Sequence, residues 1–600
     1  MKSRLAWLRR PLGIGLALFA GSLVLRFACF ALFPHPAYPD SFYYTAVARS
    51  LAGGHGFSID YLWSFVEVGS VVPAHGVLPI ASNAHWMPLA SIIQVPFIWA
   101  LGPTDLASAL PFMLLGAALA PLTYAFVRDL ARPHIRELIW PAVLAGLMAI
   151  SSGFLTAFLS QSDNFALYAF LVVLTLWIIG RMLRGDPGIA LRGRAFGPRA
   201  SLAVAGLFSG LAFLSRNDGV LLPISIALVW AGCAFAARRH HTKSPFGFGA
   251  LLLYGLVTFA VVAPWLVRQE LVFGALSPSA GTGRILWIRY YQQLFGADGT
   301  LGPGYLLSWG WQNLLTSRGE ALLNVFAIMT FEMMFFFGPI FALAGLHRNA
   351  RSAALRPYFI WGAVFVAWSV IFAAPHLTSG NFIHSAVAAL PLLYLLIVDG
   401  LAVFVERFCA RFRRFNPTNI ANKTIFTVIV VLVMLSSAFA FLAPPQWADY
   451  RASYVDAIAA INAHGGAGQT VMSADPGLVW FIDPTHPGIQ TPTADPPLTH
   501  ELDILHAAAS AYHAQWLIID RQHVVAGLED VLRGKVHPDW LAASPIYTKP
   551  NSNPAATGAD AKIPDIAVFE ILYPLGTPWA TPGRDHGLVR LLSVGNAQWP

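Results

Sequence analysis

The sequence predicts an α-helical polytopic membrane protein with about eleven transmembrane helices, followed by a C-terminal extracytoplasmic α/β domain. Of its 600 residues, 56% are hydrophobic and only 11% are charged. Its mean hydropathy is +0.59. Apolar runs of spanning length recur as far as residue 442, and charged residues return after Ala443-Pro444-Pro445. This composition excludes a soluble globular protein of the same size.

The predicted spans are runs of mostly apolar residues that are long enough to cross a bilayer. They lie near 11–33, 105–127, 138–159, 163–180, 200–216, 219–236, 249–267, 320–345, 357–374, 383–404 and 424–442. The first follows Lys2, Arg4, Arg9 and Arg10 and lacks a small-residue cleavage site, so we interpret it as a retained signal anchor. The apolar stretch from Pro88 to Leu101 is short for a span, and we expect it to lie in the interface or to re-enter the membrane.

Arginine-rich loops alternate with poorly basic ones along the chain. The positive-inside rule therefore predicts a cytoplasmic N-terminus and external segments at 34–104, 269–319 and 443–600. The positive-inside orientation of the basic loops explains the formal charge of +8. We therefore expect membrane lipid as a partner, and we do not expect nucleic acid. We expect the protein in the inner (plasma) membrane.

Two domains follow from this pattern, a transmembrane domain at 1–443 and an external α/β domain at 444–600. The external domain alternates helical patterns with short predicted strands at Thr470 to Ser473, Trp516 to Asp520 and Ala567 to Leu572. The three cysteines, Cys29, Cys233 and Cys409, all lie in or beside predicted spans. The external domain therefore has no disulfide, and a cysteine-based metal site is excluded.

The first external segment opens with Tyr38-Pro39-Asp40-Ser41-Phe42-Tyr43-Tyr44. The helical spacing places Asp40, Tyr43 and Tyr44 on one face of an interfacial helix. A carboxylate held beside tyrosines at the outer membrane face is a candidate for sugar chemistry. The alternative is that Asp40 only caps the helix N-terminus.

A second acidic residue, Asp163, stands at the predicted outer end of the fourth span, on the same side of the membrane as Asp40. The two carboxylates could face one cavity, since an acid in an apolar setting needs a partner or a metal. The alternative is again a cap, at the first turn of the following span. No cofactor is required by the sequence, although a divalent cation is possible.

Positive charge on the predicted outer side runs against the orientation rule. Arg216 and Asp218 stand in one external turn, and Arg268 and Arg289 stand near a second external loop. A guanidinium group binds phosphate bidentately, so an anionic phosphate at the membrane surface is one explanation. Interfacial anchoring, or a pair such as Arg216 with Asp218, is the other. His85 is either a polar group of the site or an ordinary surface residue.

Taken in order, these features resemble the GT-C glycosyltransferases, in particular the branch of protein O-mannosyltransferases and aminoarabinose transferases. The resemblance covers about residues 11–404. It rests on Arg26, Tyr38-Pro39-Asp40 with Tyr43-Tyr44, His85-Trp86-Met87-Pro88, Ser162-Asp163, the turn from Leu214 to Gly219, Pro264-Trp265-x-x-Arg268, and Asn381 to Pro391. His85-Trp86 departs from the acidic residue and lysine of aminoarabinose transferases, so the resemblance does not imply lipid A modification.

The resemblance implies transfer of a sugar from a polyprenyl-phosphate donor to a lipid, glycan or protein acceptor on the extracytoplasmic face. Asp40 would be the general base of an inverting displacement. Arg268, with Arg216 and Arg289, would stabilise the departing phosphate. Asp163 matches a second acidic position that helps to hold a divalent cation or the acceptor in some relatives. Tyr43, Tyr44, His85 and Asp218 are the remaining expected substrate-binding residues.

Two other classes of function remain open. A lipid or polysaccharide transporter or flippase also needs many spans with buried polar residues, but the sequence has no inverted repeat and no matching pair of broken helices. A non-catalytic assembly factor with a degenerate site is the third class, and the presence of Asp40 argues mildly against it.

Overall fold

A computed structural model describes residues 11–573, apart from short gaps at 192–193, 242–246, 282, 284–285, 298–300, 414, 493–500, 524–525, 554–556 and 559. The basic residues Lys2 to Arg10, which bear on the predicted orientation, lie outside the described residues. The chain folds into two compact units. The helical unit takes the described residues within Met1–Pro36, Met87–Pro264 and Trp311–Pro445, and the sheet unit takes those within Ala37–Trp86, Trp265–Gly310 and Gln446–Pro600.

Long apolar helices form the helical unit. They are Pro11–Leu32, Asp105–Leu130, Ile139–Ser151, Phe165–Arg184, Pro198–Ser215, Leu221–Arg239, Phe248–Phe273, Trp311–Ala327, Gly338–Asn349, Arg356–Ile371, Leu390–Arg411 and Pro417–Ala463, of which Phe248–Phe273 and Pro417–Ala463 continue into the sheet unit. Among the described residues, eight helices are long and apolar enough to cross a membrane, or up to ten if each of two bent pairs is one span. The predicted polytopic helical fold is confirmed, and the predicted span at 357–374 is the shorter helix Arg356–Ile371.

One bent pair explains why an arginine is buried in the first span. Ile139–Ser151 and Gly153–Ser160 meet at 65°, with Ser152 and Gly153 at φ 51° and 57°. A bend of this kind frees backbone carbonyls that a straight helix would satisfy. The fully buried guanidinium of Arg26 donates to the carbonyls of Ile150 and Thr156, on either side of the bend.

The second bent pair corrects the prediction of one span at 320–345. The helical segment Trp311–Met333 and the helix Gly338–Asn349 meet at 104°. Phe335 and Phe336 between them have φ values of 56° and 63°, which end a right-handed helix. Pro339 then stands at the start of the next helix, where its missing N–H costs nothing.

Close backbone contact holds two of these helices together. A Cβ on Gly345 would lie 2.0 Å from the carbonyl oxygen of Leu396, and one on Gly400 would lie 1.9 Å from that of Phe341. Only glycine therefore fits where Gly338–Asn349 crosses Leu390–Arg411. Small residues at helix crossings are the usual packing device inside a bilayer, where burial of apolar area offers little gain.

The sheet unit contains a six-stranded mixed sheet. Its strands run in the order Tyr61–Leu62, Gly488–Gln490, Thr470–Ser473, Ala514–Asp520, Ile566–Glu570 and Tyr547–Lys549. The first three pairings along this order are parallel, and the last two are antiparallel. The helices of the unit include Pro39–Ala52, Pro303–Leu307, Pro476–Ile482, Glu501–Ala511 and Ala526–Leu532, and a further two-stranded ladder joins Ser58–Ile59 to Ile80–Ala81.

Apolar side chains alternate between the two faces of this sheet, as the pleat requires. Met472 and Leu517 pack on one face against the helix Glu501–Ala511. Val471 and Ile518 pack on the other against the end of the helix Pro417–Ala463. The result is a three-layer α/β arrangement, which confirms the predicted α/β character of the C-terminal part.

The first external segment contributes a strand to this sheet. Tyr61 pairs with Gly488, and Leu62 pairs with Ile489. The sequence assigned 34–104 and 269–319 to loops of the transmembrane domain, whereas most of both segments belongs to the sheet unit. These segments join it because main-chain hydrogen bonds between distant strands form a structure that no local pattern indicates.

Candidate functional site

In the helical unit, Asp163 forms an ion pair with a histidine that the sequence did not single out. Oδ2 of Asp163 lies 2.9 Å from Nε2 of His384, and both residues are buried. Nδ1 of His384 lies 2.6 Å from the carbonyl oxygen of Gly380. An acceptor oxygen thus faces each ring nitrogen, which fixes the orientation of the imidazole.

Neighbouring residues fix the geometry of this pair. The ring of Phe165 stacks on that of His384 with 3.8 Å between centroids. The amide of Asn164 donates to Oδ1 of Asp163 at 2.5 Å. Asp163 precedes Asn164, the N-cap residue of the helix Phe165–Arg184, and no described side chain caps this helix. Asp163 is therefore not the cap that the alternative interpretation expected, and its carboxylate is instead paired with buried His384.

Arg216 and Asp218 meet in the same unit. Nη2 of Arg216 donates to Oδ2 of Asp218 at 3.0 Å and to Oδ1 of Asn381 at 2.8 Å. Nε donates to the hydroxyl of Ser385 at 2.9 Å, which itself donates to Asp218 at 2.7 Å. The structure thus contains the Arg216–Asp218 pair that the sequence left open as the alternative to phosphate binding. The network ties the turn after Pro198–Ser215 to the segment that bears His384.

In the sheet unit, Asp40 is the second residue of the helix Pro39–Ala52. The N-cap residue is Tyr38, and the hydroxyl of Ser41 accepts from the amides of Ala37 and Tyr38. Asp40 is therefore not the N-cap that the alternative interpretation expected. A carboxylate in the first turn is still stabilised in its ionised form by the helix dipole. Burial raises the pKa of the Tyr291 phenol, and the charge of Asp40 raises it further.

Tyr43 leads to an acidic residue that sequence reasoning missed. Its hydroxyl donates to Oε2 of Glu67 at 3.1 Å and accepts from the amide of Asn83 at 2.5 Å. The amide of Ala84 also donates to Oε2 of Glu67, at 3.2 Å. Glu67 is only 3% exposed. Burial raises its pKa to about 7, although these hydrogen bonds and the charge of Arg268 oppose the rise.

Arg268 stands close to this network. Its Nη2 donates to the carbonyl of Ser82 at 2.7 Å. Its guanidinium carbon lies 5.2, 4.9 and 5.1 Å from the ring centroids of Phe57, Trp265 and Phe273. Within the described part of the chain, its buried Nη1 has no hydrogen-bond partner. Arg268 is thus an oriented cation with one unused donor.

The other predicted residues of the sheet unit take different positions. Tyr44 is buried beside Trp86, with 5.5 Å between ring centroids. His85 stacks on Trp63 at 5.5 Å, rather than standing as an isolated surface residue. Arg289 lies over the ring of Tyr305 at 3.8 Å and donates to Ser308 at 2.7 Å.

The structure therefore groups the predicted residues within each unit. Asp163, Arg216 and Asp218 share the helical unit with His384. Asp40, Tyr43, Tyr44, His85, Arg268 and Arg289 lie in the sheet unit with Glu67. A signal for each missed residue exists in the sequence. Glu67 is the one acid in the apolar run from Trp63 to Val68, and His384 is an ionisable residue in a predicted span.

Comparison with solved structures finds this fold in two kinds of membrane enzyme. ArnT from Cupriavidus metallidurans bound to undecaprenyl phosphate matches with a TM-score of 0.51 and 12% identity, over 94% of this chain and 99% of that chain. The oligosaccharyltransferase AglB from Archaeoglobus fulgidus, in complex with an inhibitory peptide and a dolichol-phosphate, matches with a TM-score of 0.52 and 14% identity. The match covers 86% of this chain and 70% of that chain. The apo form of the Archaeoglobus fulgidus oligosaccharyltransferase matches with a TM-score of 0.53 and 13% identity, over the same shares.

Both of these proteins have the GT-C fold. No protein-family model and no curated protein matches the chain. At such low identity the likeness concerns the fold, and the chain has the GT-C fold that the ordered motifs predicted. It is a multi-pass membrane protein with a C-terminal sheet-containing unit.

Proposed function

We propose that this protein is a membrane glycosyltransferase that moves a sugar from a polyprenyl-phosphate donor to an acceptor on the extracytoplasmic face. The observation that carries the proposal is the match to ArnT bound to undecaprenyl phosphate, which extends over nearly the whole of both chains. Fold alone does not define an activity. The side chains that the sequence and the fold bring together supply the rest of the argument.

Asp40 is the proposed general base. Its place in the first turn of Pro39–Ala52 favours the ionised carboxylate, which is the form that a base requires. It would take the proton of an acceptor hydroxyl as that oxygen attacks the anomeric carbon. The polyprenyl phosphate would leave from the opposite face of the sugar, so one displacement inverts the configuration.

Arg268 is the proposed partner of the departing phosphate. Its bond to Ser82 and its three aromatic neighbours fix the guanidinium before substrate arrives. Preorganised donors of this kind stabilise charge as it develops on a leaving group. The buried Nη1 donor, which has no partner among the described residues, is the one that we propose for a phosphate oxygen. Arg216 already serves Asp218 and Asn381, so we propose for it a supporting role.

We propose substrate contacts for three further residues, Tyr44, His85 and Arg289. Tyr43 and Asp218 are better suited to positioning, since each is hydrogen-bonded to another member of its own network.

A divalent cation is a further part of the proposal. Asp163 and His384 offer a carboxylate and an imidazole within one buried pair, and both are common ligands of such ions. These two residues of the helical unit would contribute to holding the ion, whose positive charge would attract the phosphate of the donor. Chelation followed by addition of Mn²⁺ or Mg²⁺ tests this part separately.

The test is sugar transfer by the purified protein in lipid bilayers, with a panel of polyprenyl-phosphate-linked sugars and an envelope extract as acceptor. The proposal expects one donor to yield glycosylated acceptor and free polyprenyl phosphate in equal amounts, with the opposite anomeric configuration in the product. Movement of a donor across the bilayer without transfer would identify a transporter instead. Binding of polyprenyl phosphate without transfer from any donor would point to an assembly factor.

A further inference from the structure

A cavity in the helical unit is separate from the Asp163–His384 pair and from the Arg216 network. It has a volume of about 710 Å³ and is lined by the start of Pro11–Leu32, the end of Asp105–Leu130, and Arg181 of Phe165–Arg184. Leu12 and Leu16 form part of an apolar wall and are 74% and 53% exposed. Arg128, Asp129 and Arg181 form a charged end.

The one carboxylate of this lining is already neutralised. Oδ2 of Asp129 accepts from Nη1 of Arg181 at 2.8 Å and from the indole of Trp177 at 2.7 Å. Its Oδ1 accepts from Nη2 of Arg184 at 2.8 Å. Asp129 therefore has little capacity left to balance another cation.

Arg128 is the cation of this lining that Asp129 does not neutralise. Its Nη1 donates to the hydroxyl of Tyr124 at 3.1 Å, and its guanidinium carbon lies 5.7 Å from the centroid of that ring. Neither contact is with an acid, and no carboxylate among the described residues forms an ion pair with Arg128. The charged end of the cavity is therefore net positive, with two arginines to one aspartate in its lining.

We propose that this cavity binds an anionic phospholipid, with the headgroup phosphate on Arg128 and an acyl chain along Leu12 and Leu16. A guanidinium at the end of an apolar cleft between transmembrane helices provides both parts of the recognition. Free phosphate would use only the charged end. A zwitterionic lipid would bring a further cation next to Arg128 and Arg181. The sequence places these helix ends on the cytoplasmic side, so the lipid belongs to the cytoplasmic leaflet.

The experiment compares lipid retention by the full-length protein after reconstitution with equal amounts of phosphatidylglycerol and phosphatidylcholine. Native mass spectrometry after mild delipidation counts the lipids that remain bound. The wild type is expected to retain phosphatidylglycerol about fivefold better than phosphatidylcholine. Arg128→Gln is expected to lose this preference, and Arg128→Lys to keep part of it. Arg238→Gln, at an exposed arginine in the last turn of the helix Leu221–Arg239, is the matched control and should behave as wild type.

Two further measurements test lipid binding at this cavity without an Arg128 variant. Leu12→Asn leaves the charge in place and should weaken retention of phosphatidylglycerol, which reports on the apolar wall even if an Arg128 variant folds poorly. Inorganic phosphate, added in excess, should not displace the lipid. Equal retention of the two lipids by the wild type, unchanged preference in a folded Arg128→Gln protein, or displacement by phosphate alone would each overturn the proposal.

Discussion

Replacing Glu67 by glutamine is expected to remove a pH-dependent loss of stability from the sheet unit. Burial raises the pKa of Glu67 from 4.5 to about 7. In the unfolded chain the same side chain loses its proton near its ordinary pKa. Between these two values the folded state holds more protons than the unfolded state, so the free energy of unfolding falls as the pH rises. Glutamine cannot ionise and is free of this effect.

The size of the effect follows from the difference in pKa. Each pH unit in this window lowers the free energy of unfolding by about 1.4 kcal/mol, so a rise from 4.5 to about 7 corresponds to about 3 kcal/mol. The loss is complete above pH 7, where both states are ionised. The melting temperature of the glutamine variant, relative to wild type, should therefore increase by about 5 to 10 °C between pH 5 and pH 8.

Thermal unfolding of both proteins in the same detergent, at a series of pH values, measures this difference. Other groups that titrate in this window cancel in the comparison, since both proteins contain them. Glu570→Gln, at an exposed glutamate of the same sheet, is the matched control and should show no such trend. If the Glu67→Gln and wild-type curves stay parallel from pH 5 to pH 8, Glu67 does not have a raised pKa and the reasoning is wrong.

Three more variants test the networks around the site. Tyr43→Phe removes a hydroxyl that donates to Glu67 and lowers its pKa in the folded state, so the fall in stability should extend to higher pH, and an unchanged upper end of the fall would show that the bond contributes nothing. Arg216→Lys cannot reproduce the forked hydrogen bonds to Asp218 and Asn381, so it should destabilise the protein by about 2 to 4 kcal/mol, and an unchanged melting temperature would contradict this. Burial raises the pKa of Asp475 to about 6, so stability should fall as the pH rises through 4 to 6. Asp475→Asn keeps an acceptor for the Leu478 amide and should abolish that part of the fall. Parallel melting curves of Asp475→Asn and wild type across this pH range would refute the raised pKa of Asp475.

The helices could be predicted from hydropathy because the bilayer requires long apolar segments. Hydropathy could not predict the bends in the helices. The reversal at Phe335 and Phe336 comes from positive φ angles, which apolar composition does not encode. The strand Tyr61–Leu62 was missed for a related reason. It has two residues, and its partner Gly488–Gln490 comes from a distant part of the chain.

The predicted site residues were found because they are ionisable groups in or beside apolar surroundings. Their partners were harder to see. His384 lies far from Asp163 along the chain and meets it only in the folded structure. Glu67, in the 3₁₀ helix Phe65–Val68, likewise meets Tyr43 only through the fold. Arg216 was predicted as a phosphate ligand or as a partner of Asp218, and the structure contains the second of these contacts.

The most direct test of the proposed chemistry is single-turnover sugar transfer by the Asp40→Asn protein, with binding of polyprenyl phosphate measured in parallel. Loss of a general base should slow transfer by about 10² to 10⁴-fold while the donor lipid still binds with wild-type affinity. Transfer at the wild-type rate by a folded, membrane-inserted Asp40→Asn protein would contradict the assignment of Asp40 as the base.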